Sequence, residues 1–163
     1  MTEAIIQALE GVPAWLRVIL LSAIPITEYQ LSIPLGIHEY HFHPAVALAL
    51  SALGATLIFF PVYWGLETLH TLVERYLPRL LRPLDIVVAR AENKLKDRYS
   101  KYGAFALFLF LMIPFPFTGV WTASLAAVAL KIPFKQAALG ILSGMVSGAT
   151  IVTLLSLAGG AVL

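Results

Sequence analysis

Apolar residues fill four long stretches of this chain, and polar residues collect in a block between the second and third. Two stretches, Pro44 to Leu66 and Pro133 to Leu157, are uninterrupted. Each has the roughly 20 residues that a helix needs to cross a hydrocarbon core about 30 Å thick. Each opens with proline, which suits a first helical turn, and Pro61 predicts a mild kink near the end of the first. Small residues (Ala49 and Gly54; Gly140, Gly144 and Gly148) predict close helix–helix approach. The other two stretches are broken. Val12 to Ile37 contains Pro25, the polar run "TEYQLS" and Pro34, and Phe105 to Leu130 contains "PFPFTG" at 114 to 119. Proline lacks an amide donor and disfavours helix in the residue before it, so neither should form one straight helix.

The polar block, 67 to 101, has apolar positions at Leu66, Leu69, Leu72, Val73, Tyr76 and Leu77, with Pro78 and Pro83 as dividers. That spacing predicts short amphipathic helices, either on the inner leaflet with Arg75, Arg79 and Arg82 near lipid phosphates, or as a solvated hairpin. The block holds eight of the eleven basic residues, which assigns it to the cytoplasm. If the second broken stretch crossed the membrane, Lys131 and Lys135 would lie outside; a re-entrant hairpin keeps them inside. Re-entrant hairpins are therefore expected in both halves, one from each side of the membrane. The expected fold is all-α: a single membrane domain over 1 to 163, with repeats at 12 to 66 and 102 to 159 in inverted orientation around the linker. Identity between the repeats is faint. "GAT" at 54 recurs at 148, an offset of 94, while Pro44 and Pro133 are 89 apart, so the repeat rests on the order of elements.

Composition supports this solvent choice. Of 163 residues 60% are hydrophobic and 12% charged, with mean hydropathy +0.87, too little polar surface for a soluble domain. The expected location is the plasma or inner cell membrane, with the lipid bilayer as the main partner. The pI of about 9 follows from the linker and does not imply nucleic acid. Cysteine is absent, which excludes disulfides and thiolate chemistry. The acidic start "MTEAIIQALEG" lacks the basic region of a secretory signal and reads as a retained interfacial helix. No Ser/His/Asp set, P-loop or aspartate pair occurs, so neither an enzyme nor an ATP-driven pump is expected.

Glu28 carries the candidate chemistry. A carboxylate at hydrocarbon depth costs several kcal/mol without a partner, and no Lys, Arg or His lies between Val18 and Ile37. It must be protonated, bound to a cation, or facing a water-filled cavity; the alternative is a hydrated position at the outer interface. Thr27, Gln30, Ser32 and Pro34 surround it, and backbone left irregular by the break would offer amides and carbonyls to a ligand. The second break contributes Pro114, Pro116, Thr118, Gly119, Trp121 and Thr122. Trp121 either stacks on a substrate or packs on the first hairpin. Together the breaks predict one shared pocket for a small amphiphilic or lipid substrate, with a proton or monovalent cation as the coupling ion and no other cofactor. His38, His41 and His43 in "GIHEYHFHP" fail the His-Glu-x-x-His pattern, because Phe42 stands at the second ligand position; a loop metal site is the weaker alternative.

"PITEYQLSIPLG" and "YSKYGAFALFLFLMIPFPFTGVWTASLAA" resemble the small multidrug export protein family, over roughly residues 20 to 158. Glu28, Ile33, Pro34 and Gly36 match its first motif, and Pro114, Pro116, Thr118, Gly119, Trp121 and Thr122 its second. Gln30 stands where the family usually has arginine and Leu31 where it has glycine; Phe117 and Ala123 also replace glycines. The resemblance implies a secondary transporter, but with the arginine partner of Glu28 missing. A more distant likeness to DedA-type proteins, also built from two re-entrant hairpins, implies a lipid or lipid-phosphate translocase as the alternative. A non-transporting scaffold is the third reading. Four short membrane elements make a thin wall, so size alone suggests a homodimer.

Overall fold

The structure, a computed structural model, describes residues 11–76, 86, 99–115 and 119–159. The described residues are helical with no strand. Six helices follow one another: α1 Ala14–Ala23, α2 Glu28–His38, α3 Pro44–Tyr76, α4 Tyr99–Met112, α5 Val120–Ala129 and α6 Phe134–Leu157. The order short helix, break, short helix, turn, long helix occurs twice. The expected interfacial helix at the N-terminus, linker residues 77–85 and 87–98, Pro116 and Thr118 lie outside the described residues, and the last three residues of the linker open α4.

Prolines explain the first break. α1 starts after Pro13 and stops at Ile24, whose extended backbone (φ −83°, ψ 135°) is the conformation that the following Pro25 imposes. Pro34 and Pro61, by contrast, sit inside α2 and α3. This corrects the expectation for "TEYQLS". Its backbone is not irregular beyond Thr27, because Glu28 to Ser32 form the first turns of α2 and the break closes within Ile24–Thr27.

Two of these helices, α3 and α6, are long and apolar enough to cross a membrane. The 33 residues of α3 extend about 50 Å at 1.5 Å per residue, well beyond a bilayer core. Its last turns, from Glu67 to Tyr76, continue the span as one helix, with Leu69, Leu72 and Tyr76 exposed. Leu57, Leu139 and Leu154 are each more than half exposed, an outer surface suited to lipid rather than water.

The packing is reciprocal. In each half the first short helix lies along its own long helix, α1 on α3 and α4 on α6. The second short helix reaches the long helix of the other half, α2 on α6 and α5 on α3, while α2 also lies along its own long helix α3, and α3 touches α6. Glycines permit these approaches. A Cβ on Gly54 would strike the Ile19 carbonyl of α1, and one on Gly148 the Leu111 carbonyl of α4. Both "GAT" glycines therefore seat a long helix on the first helix of its own half, Gly54 beside Ile19 and Ser22 and Gly148 beside Leu111. Tyr29, Ile33, Phe59, Leu111, Ile141 and Met145 fill the core between the halves.

Candidate functional site

The two breaks meet in that core. Glu28, the first residue of α2, is only 7% exposed. Its carboxylate lies at the N-terminus of α5 from the opposite half, where Oε2 accepts a hydrogen bond from the Val120 amide at 3.2 Å and the Trp121 amide also donates to the group. A helix N-terminus concentrates unpaired N–H groups and partial positive charge, so it meets a carboxylate without any basic side chain. Among the described residues no Lys, Arg or His pairs with Glu28. The charge is here met by backbone, and Gln30, two residues further along α2, is half-buried.

Two local features hold this contact. Gly119, extended at φ −118°, ψ −173°, lies directly under the carboxylate, and a Cβ there would overlap its atoms. Glu28 itself has φ 38°, left-handed backbone that is unfavourable for a residue with a Cβ. Such a position costs on the order of 1–3 kcal/mol and persists only where its surroundings impose it. The break thus accepts strain at the residue whose charge it positions.

Two aromatic side chains latch the junction from either side. Tyr29 is fully buried, and its hydroxyl donates to the Leu111 carbonyl, at the end of α4, at 3.0 Å. Trp121 Nε1 donates to the Ala23 carbonyl, at the end of α1, at 3.1 Å. Each is the second residue of its helix, and each satisfies a terminal carbonyl in the opposite half, where α-helical bonding has run out. Trp121 thus contacts the end of α1. Tyr29 was not among the expected site residues. Its signal was positional: it follows its break by the same step as Trp121.

The other expected residues divide. Thr122 Oγ1 accepts from the Gly119 amide at 3.0 Å and so shapes the start of α5 while its own surface is exposed. Thr27 is buried, its hydroxyl donating to the Leu21 carbonyl across the first break. Ser32 is turned away from the junction and donates to Ser51 Oγ of α3 at 2.8 Å. Pro34 sits about 9 Å further along α2 than Glu28, and Pro114 is half-buried at the start of the second break. His38, His41 and His43 do not converge: among the described residues no three His, Asp or Glu side chains gather at metal-binding distance.

An all-α membrane protein with two long apolar helices and a buried carboxylate where α2 meets α5 is the class that fold and site define. Residues 28–151 match the profile of the family described as "Putative small multi-drug export protein", and the chain belongs to that family. Neither a curated protein nor a solved structure matches it.

Proposed function

We propose that this protein is a secondary membrane transporter that exports a small amphiphile, with Glu28 as the coupling group for a proton or a monovalent cation. The observation that carries the reading is the buried Glu28 carboxylate, which among the described residues is held by the first amides of α5. In this proposal the two hairpins are re-entrant, dip in from opposite sides, and form inverted repeats, with the 67–101 linker cytoplasmic. The repeated element order and the reciprocal packing support that arrangement.

The geometry suggests how coupling would work. An ionised Glu28 binds the α5 N-terminus and joins the halves. A proton or cation taken up by the carboxylate competes for the same oxygens and removes the charge that those amides meet. The tips of α2 and α5 are then released from one another, and the pocket between them opens to the substrate. The strained backbone at Glu28 favours release, because letting go relieves φ 38°. The lipid-phosphate alternative lacks such support: among the described residues the charged side chain at the junction, Glu28, is acidic, and it would repel a phosphate rather than bind it.

The test is proton-driven flux in proteoliposomes. Glu28→Gln keeps an acceptor oxygen for the α5 amides but cannot carry a proton. The variant should insert and fold yet lose pH-gradient-driven export; export at the wild-type rate would rule the proposal out.

A further inference from the structure

A cavity lies away from the Glu28 junction. It is a cleft of about 320 Å³ between the C-terminal extension of α3 and the turn joining α5 to α6. This is the lower end of the range for small-molecule pockets. One wall is a single face of α3, where Glu67, His70, Thr71 and Glu74 follow at helical spacing; the other includes Lys131 and Phe134. Tyr63 closes the base by donating its hydroxyl to the Ile132 carbonyl at 3.1 Å.

Three independent features describe what such a cleft would hold. The first is an aromatic floor. The Phe134 ring lies 5.2 Å from Tyr63, edge-on, and 6.2 Å from Trp64, stacked, and Phe59 and Phe60 extend the cluster. The second is an excess of negative charge. Among the described residues of the cleft, Glu67 and Glu74 face the Lys131 ammonium, which sits 3.7 Å from Glu74 with both side chains well exposed. An exposed pair of that kind is loose, and it leaves Glu67 as the carboxylate beside the floor. The third is His70 Nε2, which is shut off from solvent and has no hydrogen-bond partner among the described residues. A buried polar atom without a partner is costly and suits a site that receives a ligand.

We infer that this cleft binds organic cations with an apolar body, the ammonium lying between Glu67 and the rings of Tyr63 and Phe134. Cation–aromatic attraction and the carboxylate act on the same charge, while the floor takes the body. An anionic amphiphile would meet two carboxylates, and a neutral one would gain only the floor. The inference rests on the export reading in one respect: it names the substrate class that the cleft would gather at the inner end of α3. Binding itself needs no transport, so the two can fail separately.

The experiment is equilibrium binding of benzyltrimethylammonium to the full-length protein in detergent, read by tryptophan fluorescence, since Trp64 borders the floor. Saturable binding is expected, weakened about tenfold by Glu67→Gln and comparably by Phe134→Ala. Glu67 is exposed on the outside of a helix, so its variant should fold. Glu39→Gln, at an exposed carboxylate outside the cleft, should bind as wild type does. The uncharged isostere neopentylbenzene should bind about tenfold more weakly than the cation. Equal affinity for the two probes, or unchanged affinity in Glu67→Gln, would overturn the inference. So would a loss in Glu28→Gln as large as in Glu67→Gln, because the cation would then be at the junction. Export that depends on Glu28 with no binding at the cleft would leave the coupling proposal standing and remove this one. Binding at the cleft without Glu28-dependent export would do the reverse.

Discussion

The two breaks contribute unlike chemistry to the same junction. The first is short, Ile24–Thr27, stopped by a proline and ending on a strained glutamate. The second follows α4, whose last residue is Met112, and meets α5 at Gly119, a glycine whose missing side chain makes room for that glutamate. One break supplies the charge, and the other supplies amides and space. Repetition of the backbone plan therefore does not require repetition of the residues. Where two repeats face each other across a junction, complementarity matters more than identity, which is why Glu28 and Val120 occupy like positions with no chemical likeness.

The aromatic latches are the contrasting case. Tyr29 and Trp121 perform the same act in opposite directions, each capping the end of the other half's first helix. Here the demand is the same on both sides, a terminal carbonyl that must be satisfied away from water, and the two side chains share a large apolar body with one donor.

Variants can break or sharpen this comparison. The largest effect is expected at the asymmetric contact. Gly119→Ala puts a Cβ onto the Glu28 carboxylate and should cost roughly 2–4 kcal/mol in thermal or denaturant unfolding, from overpacking and a displaced charged acceptor. Adding Glu28→Gly removes the clash and the left-handed strain together, so the double variant should regain most of that loss. Without such recovery, Gly119 would be needed for some reason other than the carboxylate.

Next come the paired glycine seats. Gly54→Val and Gly148→Val should each cost about 1–3 kcal/mol by forcing a long helix off its short partner. Gly148→Val should be the worse, because its Cβ also approaches the Tyr29 hydroxyl at 2.8 Å and disturbs a latch. Smaller again are the latches themselves. Tyr29→Phe strands a buried carbonyl and should cost about 1–2 kcal/mol, whereas Trp121→Phe, at a half-buried position, should cost about 0.5–1 kcal/mol. Equal losses would mean that the surroundings of the two carbonyls are equally dry. The smallest effects belong to the turns joining each second short helix to its long one. His41 (φ 54°) and Lys131 (φ 52°) both have left-handed backbone, so His41→Gly and Lys131→Gly should each stabilise by about 0.5–1 kcal/mol.

Much of the framework was legible because lipid imposes length and polarity rules that are local in sequence. The unbroken apolar stretches became α3 and α6, and Pro25 marked the first break, since the residue before a proline is pushed out of helical backbone whatever surrounds it. Other prolines misled. Pro34 and the polar run before it suggested irregular chain, yet α2 runs through both, because packing against α3 and α6 supports a helix that propensity alone would interrupt. Ser32 shows the same limit. Its polarity marked it as a site residue, but its partner is Ser51 on a neighbouring helix, and only the direction of its side chain reveals that.

By itself the sequence determined that the protein is helical and membrane-embedded, where its long helices begin, and that one carboxylate stands in an apolar stretch without a nearby cation. These follow from composition, spacing and proline geometry, each confined to a few neighbouring residues. Tertiary structure alone decided what that carboxylate meets, the amides of a helix start ninety-two positions away. A backbone amide is present at nearly every residue and has no signature in the sequence. It becomes a binding group only when the fold leaves it unpaired and brings a charge to it.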